Sequence, residues 1–240
     1  SHNEQQGDSE VYILEVNPRA SRTIPFISKI TGVPMVRLGI NAMLGKSLEE
    51  QGYQGGLWKK QDLVGVKAPV FSMSKLTGVD TYLGPEMKST GEVMGLDYEF
   101  APAVAKALLA AGLMLPPRGS ILLSIADRDK ADSAQMVQAL AAAGYRLYAT
   151  AGTAALIRDQ GIDAVVVPKL QEPGHPNVVD VIADGTVDAV VNTLSGDREA
   201  LEDGFEIRRE AVERRIPCFT SLDTARAAVE SLVAGADSYS

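Results

Sequence analysis

The chain has one cysteine and two histidines in 240 residues, and that scarcity removes several kinds of chemistry at once. Cys218 alone can form neither an internal disulfide nor a cysteine-rich metal site. Flanked by Ile216, Pro217 and Phe219, it reads as a packing residue rather than a nucleophile. His2 falls in a polar opening segment and His175 in the loop Glu172-Pro173-Gly174-His175-Pro176-Asn177, so a Ser-His-Asp or Cys-His mechanism has one candidate base. No apolar run approaches the roughly 20 residues that span a bilayer, and the opening residues carry no charged-then-apolar secretory pattern. Positive charge is in deficit: 23 Lys and Arg against 31 Asp and Glu give a net charge of -8. That balance argues against nonspecific nucleic-acid binding, which needs basic patches to displace counterions. The expectation is a cytoplasmic protein with no membrane or nucleic-acid partner.

What remains is an ordinary globular composition, 45% apolar and 22% charged, long enough for more than one unit. Residues 1–9 are polar and patternless and read as a leader. Glu10-Val11-Tyr12-Ile13-Leu14-Glu15-Val16 reads as a strand. Alternation along it puts Glu15 and Asn17 on one face, a carboxylate beside an amide oxygen where Pro18 turns the chain. Hard oxygen ligands in such a pair suit Mg2+ bridging phosphates. Arg19, one pleat further, can place a guanidinium fork on the same phosphates. By spacing alone, the same residues read more readily as a strand end with a surface Glu and a turn Asn, since Glu-x-Asn is common.

Pro34 opens a short helix that Gly45 closes. The glycine-rich run Gly52-Tyr53-Gln54-Gly55-Gly56-Leu57 lacks the Lys-Ser/Thr of a phosphate loop. Residues 64–73 are extended, 83–95 turn-rich and 101–113 helical. Leu115-Pro116-Pro117-Arg118-Gly119 is the expected domain boundary. Beyond it the pattern is regular: strands at 121–125, 146–149, 164–167, 189–191 and 216–219. Helices are expected at 131–143, 154–160, 177–183, 198–214 and 222–233. Five strands alternating with helices predict an α/β fold, a doubly wound five-stranded parallel sheet. Ligands of such sheets bind beyond the carboxyl ends of the strands. There the chain places Ser124, Lys130, Thr150, Thr153, Lys169, Asn192 and Thr193, with a helix N-terminus near Thr150-Ala151-Gly152-Thr153. Hydroxyls, two lysines and free backbone N–H groups suit a phosphorylated ligand, although a threonine before a helix is also a simple N-cap.

Two blocks carry a family resemblance. Glu15-Val16-Asn17-Pro18-Arg19-Ala20-Ser21-Arg22-Thr23-Ile24-Pro25-Phe26 and Leu83-Gly84-Pro85-Glu86-Met87-Lys88-Ser89-Thr90-Gly91-Glu92-Val93-Met94-Gly95 resemble the large chain of carbamoyl-phosphate synthetase. The likeness continues to the C-terminus. It implies that 10–115 is the closing part of the second ATP-grasp unit, an α+β lobe, and that 119–240 is a methylglyoxal-synthase-like regulatory domain. By resemblance the full enzyme is an ATP-dependent ligase of pyrimidine and arginine biosynthesis, making carbamoyl phosphate from bicarbonate, glutamine-derived ammonia and two ATP. Its partner is a glutamine amidotransferase small subunit, its metal Mg2+ or Mn2+. The resemblance gives Glu15 and Asn17 to the metal and Arg19 to the phosphates. It gives Lys130, Thr150, Thr153 and Lys169, with Ser124, Asn192 and Thr193 nearby, to an effector, uridine or inosine monophosphate. It also implies that the fragment alone is inactive. Departures from the family are Leu194 in place of a threonine, and Ala68 and Cys218 where an acidic and an aromatic residue serve ornithine regulation. An ornithine response is therefore not expected.

Two other readings stay open. A stand-alone lyase of the methylglyoxal-synthase type needs a carboxylate base and a histidine acid on the rim, for which Asp127 and His175 are the candidates. A pure interaction module, through contacts between copies, needs neither.

Overall fold

The computed structural model describes residues 13, 16, 18–19, 21–71, 89–193 and 198–236. Of the strand expected at residues 10–16, only residues 13 and 16 are among them. Two compact units divide at Leu57/Trp58.

In the first unit, α1 (Thr23–Thr31) and α2 (Met35–Met43) are joined by a three-residue turn. The sequence reading missed α1. It starts where Ser21 Oγ accepts the Thr23 N–H at 3.1 Å. Pro25 is tolerated in the first turn because the N–H it lacks would have no helical acceptor there. It ends at Gly32, whose φ of 71° is a left-handed stop. Ser28 of α1 then accepts the Met35 N–H at 3.3 Å and fixes the start of α2.

In the second unit, β1 (Val64–Phe71) pairs antiparallel with β2 (Ser89–Asp97). Residues 83–95, expected to be turns, supply most of β2; 83–88 lie outside the described residues. Helix α3 (Phe100–Ala111) lies across this pair. Gly95 lets it approach: a Cβ there would sit 1.9 Å from the Ala103 carbonyl oxygen. Asp97 turns the corner, accepting the Tyr98 N–H at 2.7 Å and the Lys106 ammonium at 2.7 Å.

The parallel sheet follows: β3 (Ser120–Ser124), β4 (Arg146–Ala149), β5 (Val165–Val166), β6 (Ala189–Asn192) and β7 (Cys218–Phe219), in spatial order β5-β4-β3-β6-β7. The order runs outward from β3 in both directions, so the β3–β6 boundary is the topological switch point. Strand pleating sorts the core. Ile121 and Leu123 of β3, Leu147 and Ala149 of β4, and Ala189 and Val191 of β6 face one layer. That layer is built with α4 (Lys130–Ala142), α5 (Ala151–Asp159) and α8 (Leu222–Ala236). Leu122, Tyr148 and Val190 face the other, with α6 (Asp180–Ala183) and α7 (Arg198–Glu213). The α/β, doubly wound five-stranded parallel sheet expected from sequence is what the chain forms.

The expected boundary at 115–119 is not where the compact units part. Val104 and Leu108 of α3 and Leu115 of the connector are buried in the same layer as β3, β4 and β6. The Tyr145 hydroxyl donates to the Pro116 carbonyl, and Asp188 accepts the Ser120 N–H at 2.8 Å. The proline-rich connector is thus a clamped joint inside the second unit. Prolines and a glycine mark a chain turn, and only packing reveals whether two cores or one lie on either side of it.

Candidate functional site

Beyond the carboxyl ends of β3, β4 and β6 lies a cavity of about 370 Å³. Its lining includes all seven rim residues predicted from sequence: Ser124, Lys130, Thr150, Thr153, Lys169, Asn192 and Thr193. They come from five separate stretches of chain, and the parallel sheet collects them because every strand ends on the same edge.

The helix beside the cavity begins earlier than expected. Helix α5 starts at Ala151, not 154, with Thr150 as N-cap. The first backward helical bond is Ala154 N–H to Thr150 carbonyl, at 2.8 Å. The N–H groups of Ala151, Gly152 and Thr153 therefore lack acceptors within the helix, as at any helix start. Gly152 and Thr153 line the cavity. Gly152 leaves room for the Lys130 ammonium where it stands, since a Cβ there would lie 2.8 Å from Lys130 Nζ. An ammonium group thus sits directly over the first turn of α5.

Thr153 and Thr193, both buried, are held by the backbone that leaves β3. Thr153 Oγ1 accepts the Ile125 N–H at 3.1 Å, and Thr193 Oγ1 accepts the Ala126 N–H at 2.8 Å. These bonds stitch the ends of β3, β6 and α5 into one rim. Lys130 Nζ is 2.6 Å from Asp127 Oδ1. The hydrogen bond and charge of Lys130, with the charge of Lys169, hold the Asp127 carboxyl below its ordinary value. Lys130 and Lys169 both line the cavity.

The opposite wall was not anticipated. Asp203, Gly204 and Ile207 of α7 line the cavity, and Arg208 lies behind them with its Nη1 on Asn192 Oδ1 at 2.9 Å. Asp203 and Arg208 are both buried. The available sequence signal was a glycine inside a helical run, flanked by charges on the helix's apolar face.

Other candidates are not gathered here. Glu15 and Asn17 lie outside the described residues, and so does Leu194. Arg19 is exposed at a bend before α1. His175 does not line the cavity; its Nδ1 is 2.6 Å from Asp180 Oδ2, so the lyase reading lacks its imidazole acid at the rim, although Asp127 is present. Cys218 is held protonated: burial pushes its thiol up to about 12 against the opposing pull of Arg208. That fits a packing role. Among the described residues, no cluster of three or more His, Cys, Asp or Glu can hold a metal, and no helix is long and apolar enough to cross a membrane.

Comparison with known proteins agrees with this architecture. Residues 132–220 match the MGS-like domain family, and residues 3–51 match the carbamoyl-phosphate synthase L chain, ATP binding domain. The carbamoyl phosphate synthase large chain of Thermomicrobium roseum is 55% identical over 230 residues, 96% of this chain and 21% of its own length. The chain thus spans about a fifth of that relative. Both family matches fall in order along one chain, and with the sheet and rim in place the chain is similar, over nearly its whole length, to part of a carbamoyl phosphate synthase large chain.

Proposed function

We propose that this chain is the C-terminal part of a carbamoyl phosphate synthase large chain, and that its own competence is to bind a nucleotide monophosphate effector at the rim of the parallel sheet. The observation that carries the second half is the cationic end of the cavity. Lys130, Lys169 and the open first turn of α5 converge there, with Gly152 leaving room for an anion. A phosphate placed there takes hydrogen bonds from the Gly152 and Thr153 N–H groups, the positive end of the α5 dipole and two ammonium charges. The cavity's volume lies within the range of small-molecule sites, roughly 300 Å³ and above, and accommodates a sugar and base beyond the phosphate. Uridine and inosine monophosphates are the effectors we assign to it.

In the complete protein, the ATP-dependent ligase activity belongs to chain beyond this segment. Glu15 and Asn17 are proposed to hold Mg2+ or Mn2+ there, with Arg19 on the ATP phosphates; a metal in that position offsets phosphate charge. The glutamine amidotransferase small subunit is the proposed partner and the cytoplasm the proposed location. Residues 10–115 are proposed as the end of the second ATP-grasp unit and 119–240 as the effector domain, although compact packing joins 58–118 to the latter.

The test is calorimetric titration of the chain with uridine and inosine monophosphates, beside Lys169→Ala. Binding weakened on the order of tenfold or more in the variant is expected, as for loss of one charge-assisted phosphate contact. Turnover of a triose phosphate by the wild type would favour the lyase instead. Absence of nucleotide binding would remove the effector assignment.

A further inference from the structure

Asn192 ends β6 and lines the cavity, two strands across from β4, which leads into α5, and its amide has one orientation open to it. An arginine side chain has only donors. The Asn192 atom 2.9 Å from Arg208 Nη1 must therefore be the carbonyl oxygen Oδ1. The amide NH2 is consequently not on Arg208, and Asn192 is one of the residues that line the cavity. Both side chains are buried, so the pair does not rotate freely in water. Gly204 closes the arrangement: a Cβ there would lie 2.7 Å from Arg208 Nη1 and 3.1 Å from Asn192 Oδ1.

We infer that Arg208 is a positioning residue which fixes Asn192 as a hydrogen-bond donor, so that the cavity selects a phosphorylated ligand carrying an acceptor at its far end. This rests on the nucleotide reading above and deepens it. The lateral distance supports the assignment. Strand order is β4-β3-β6, and adjacent strands lie about 4.8 Å apart, so the α5 start after β4 and Asn192 after β6 are separated by roughly 10 Å. That span separates a phosphate from the far edge of a base. Ile207 gives the same wall an apolar surface for a flat ring. An oxo group on the base accepts from the Asn192 NH2. An exocyclic amino group presents donor to donor and leaves both unpaired, a buried mismatch costing about 1–3 kcal/mol.

The experiment compares binding of uridine monophosphate, cytidine monophosphate and inorganic phosphate by the 240-residue chain and its variants. The two nucleotides differ at the base position where uracil has a carbonyl and cytosine an amino group. Wild type is expected to prefer uridine monophosphate by on the order of tenfold. In Arg208→Met the amide can turn over, and the preference should fall below about threefold, with phosphate affinity unchanged. Arg208→Lys, which still donates to Oδ1, should retain the preference. Asn192→Asp keeps an oxygen acceptor for Arg208, serves if Arg208→Met does not fold, and should reverse the preference toward cytidine monophosphate. Equal wild-type affinity for the two nucleotides overturns the inference while leaving the effector site in place. So does a retained uridine preference in a folded Arg208→Met or in Asn192→Asp. Phosphate binding without binding of either nucleotide overturns both the inference and the nucleotide reading.

Discussion

At the residue scale, stability and binding pull in different directions at Gly152. A helix start gains from alanine over glycine, by less than the roughly 1 kcal/mol of a helix interior. Yet the added Cβ at this position falls on Lys130 Nζ, 2.8 Å away. A lysine terminus can move aside cheaply, so Gly152→Ala should fold with an unchanged or slightly higher Tm. The displaced ammonium and the filled first turn of α5 should weaken inorganic phosphate binding by on the order of tenfold. Thermal denaturation and phosphate titration on the same sample check this; a lower Tm with intact phosphate affinity would contradict the role given to Gly152. The lysines and threonines were legible in the sequence because each follows a strand. Gly204 and Arg208 were not, because their relevance comes from α7 returning beside β6, a contact between residues 16 positions apart at Asn192 and Arg208.

At the scale of elements, the start of α6 carries a titratable cap. Asn177 Oδ1 accepts the Val179 and Asp180 N–H groups at 2.9 and 3.0 Å, and Asp180 Oδ2 accepts the Asn177 N–H at 2.9 Å. This is a reciprocal capping box. The Asn177 N–H, followed by His175, holds the Asp180 carboxyl below its ordinary value of 3.8. A carboxyl with a depressed folded pKa stabilises the fold above its unfolded pKa and loses that contribution as pH falls through the folded one. Asp180→Asn should therefore lower Tm at pH 5, and the gap to wild type should close as the pH falls below about 4. A gap that persists at acid pH would assign the effect to shape rather than charge. The sequence placed this helix start at 177, where the cap is, while regular helical bonding begins at Asp180. In α5 the shift ran the other way: regular helix begins at Ala151, with Thr150 in the N-cap position, three residues before the expected start.

At the scale of the molecule, the joint at 115–119 decides what can be cut. Val104, Leu108 and Leu115 are buried with the sheet residues. A fragment beginning at residue 119 loses them, on the order of 5 kcal/mol of apolar burial, and uncovers the face of α8 that packs on α3. Residues 58–240 should fold and bind uridine monophosphate like the whole chain. Residues 119–240 should melt markedly lower and bind a hydrophobic dye. Comparable melting of the two fragments would show that α3 is dispensable.

By itself, the sequence determined the sheet and its edge. Apolar runs of strand length alternating with helices admit few arrangements, and a parallel order then brings Ser124, Lys130, Thr150, Thr153, Lys169, Asn192 and Thr193 to one rim without further information. Tertiary structure decided which side chains stand behind that rim, where α5 opens, and which core α3 joins. Each of these depends on contacts distant in sequence: Arg208 with Asn192, Thr153 with Ile125, Tyr145 with Pro116. Local pattern records which face of an element is buried, but not which element will cover it.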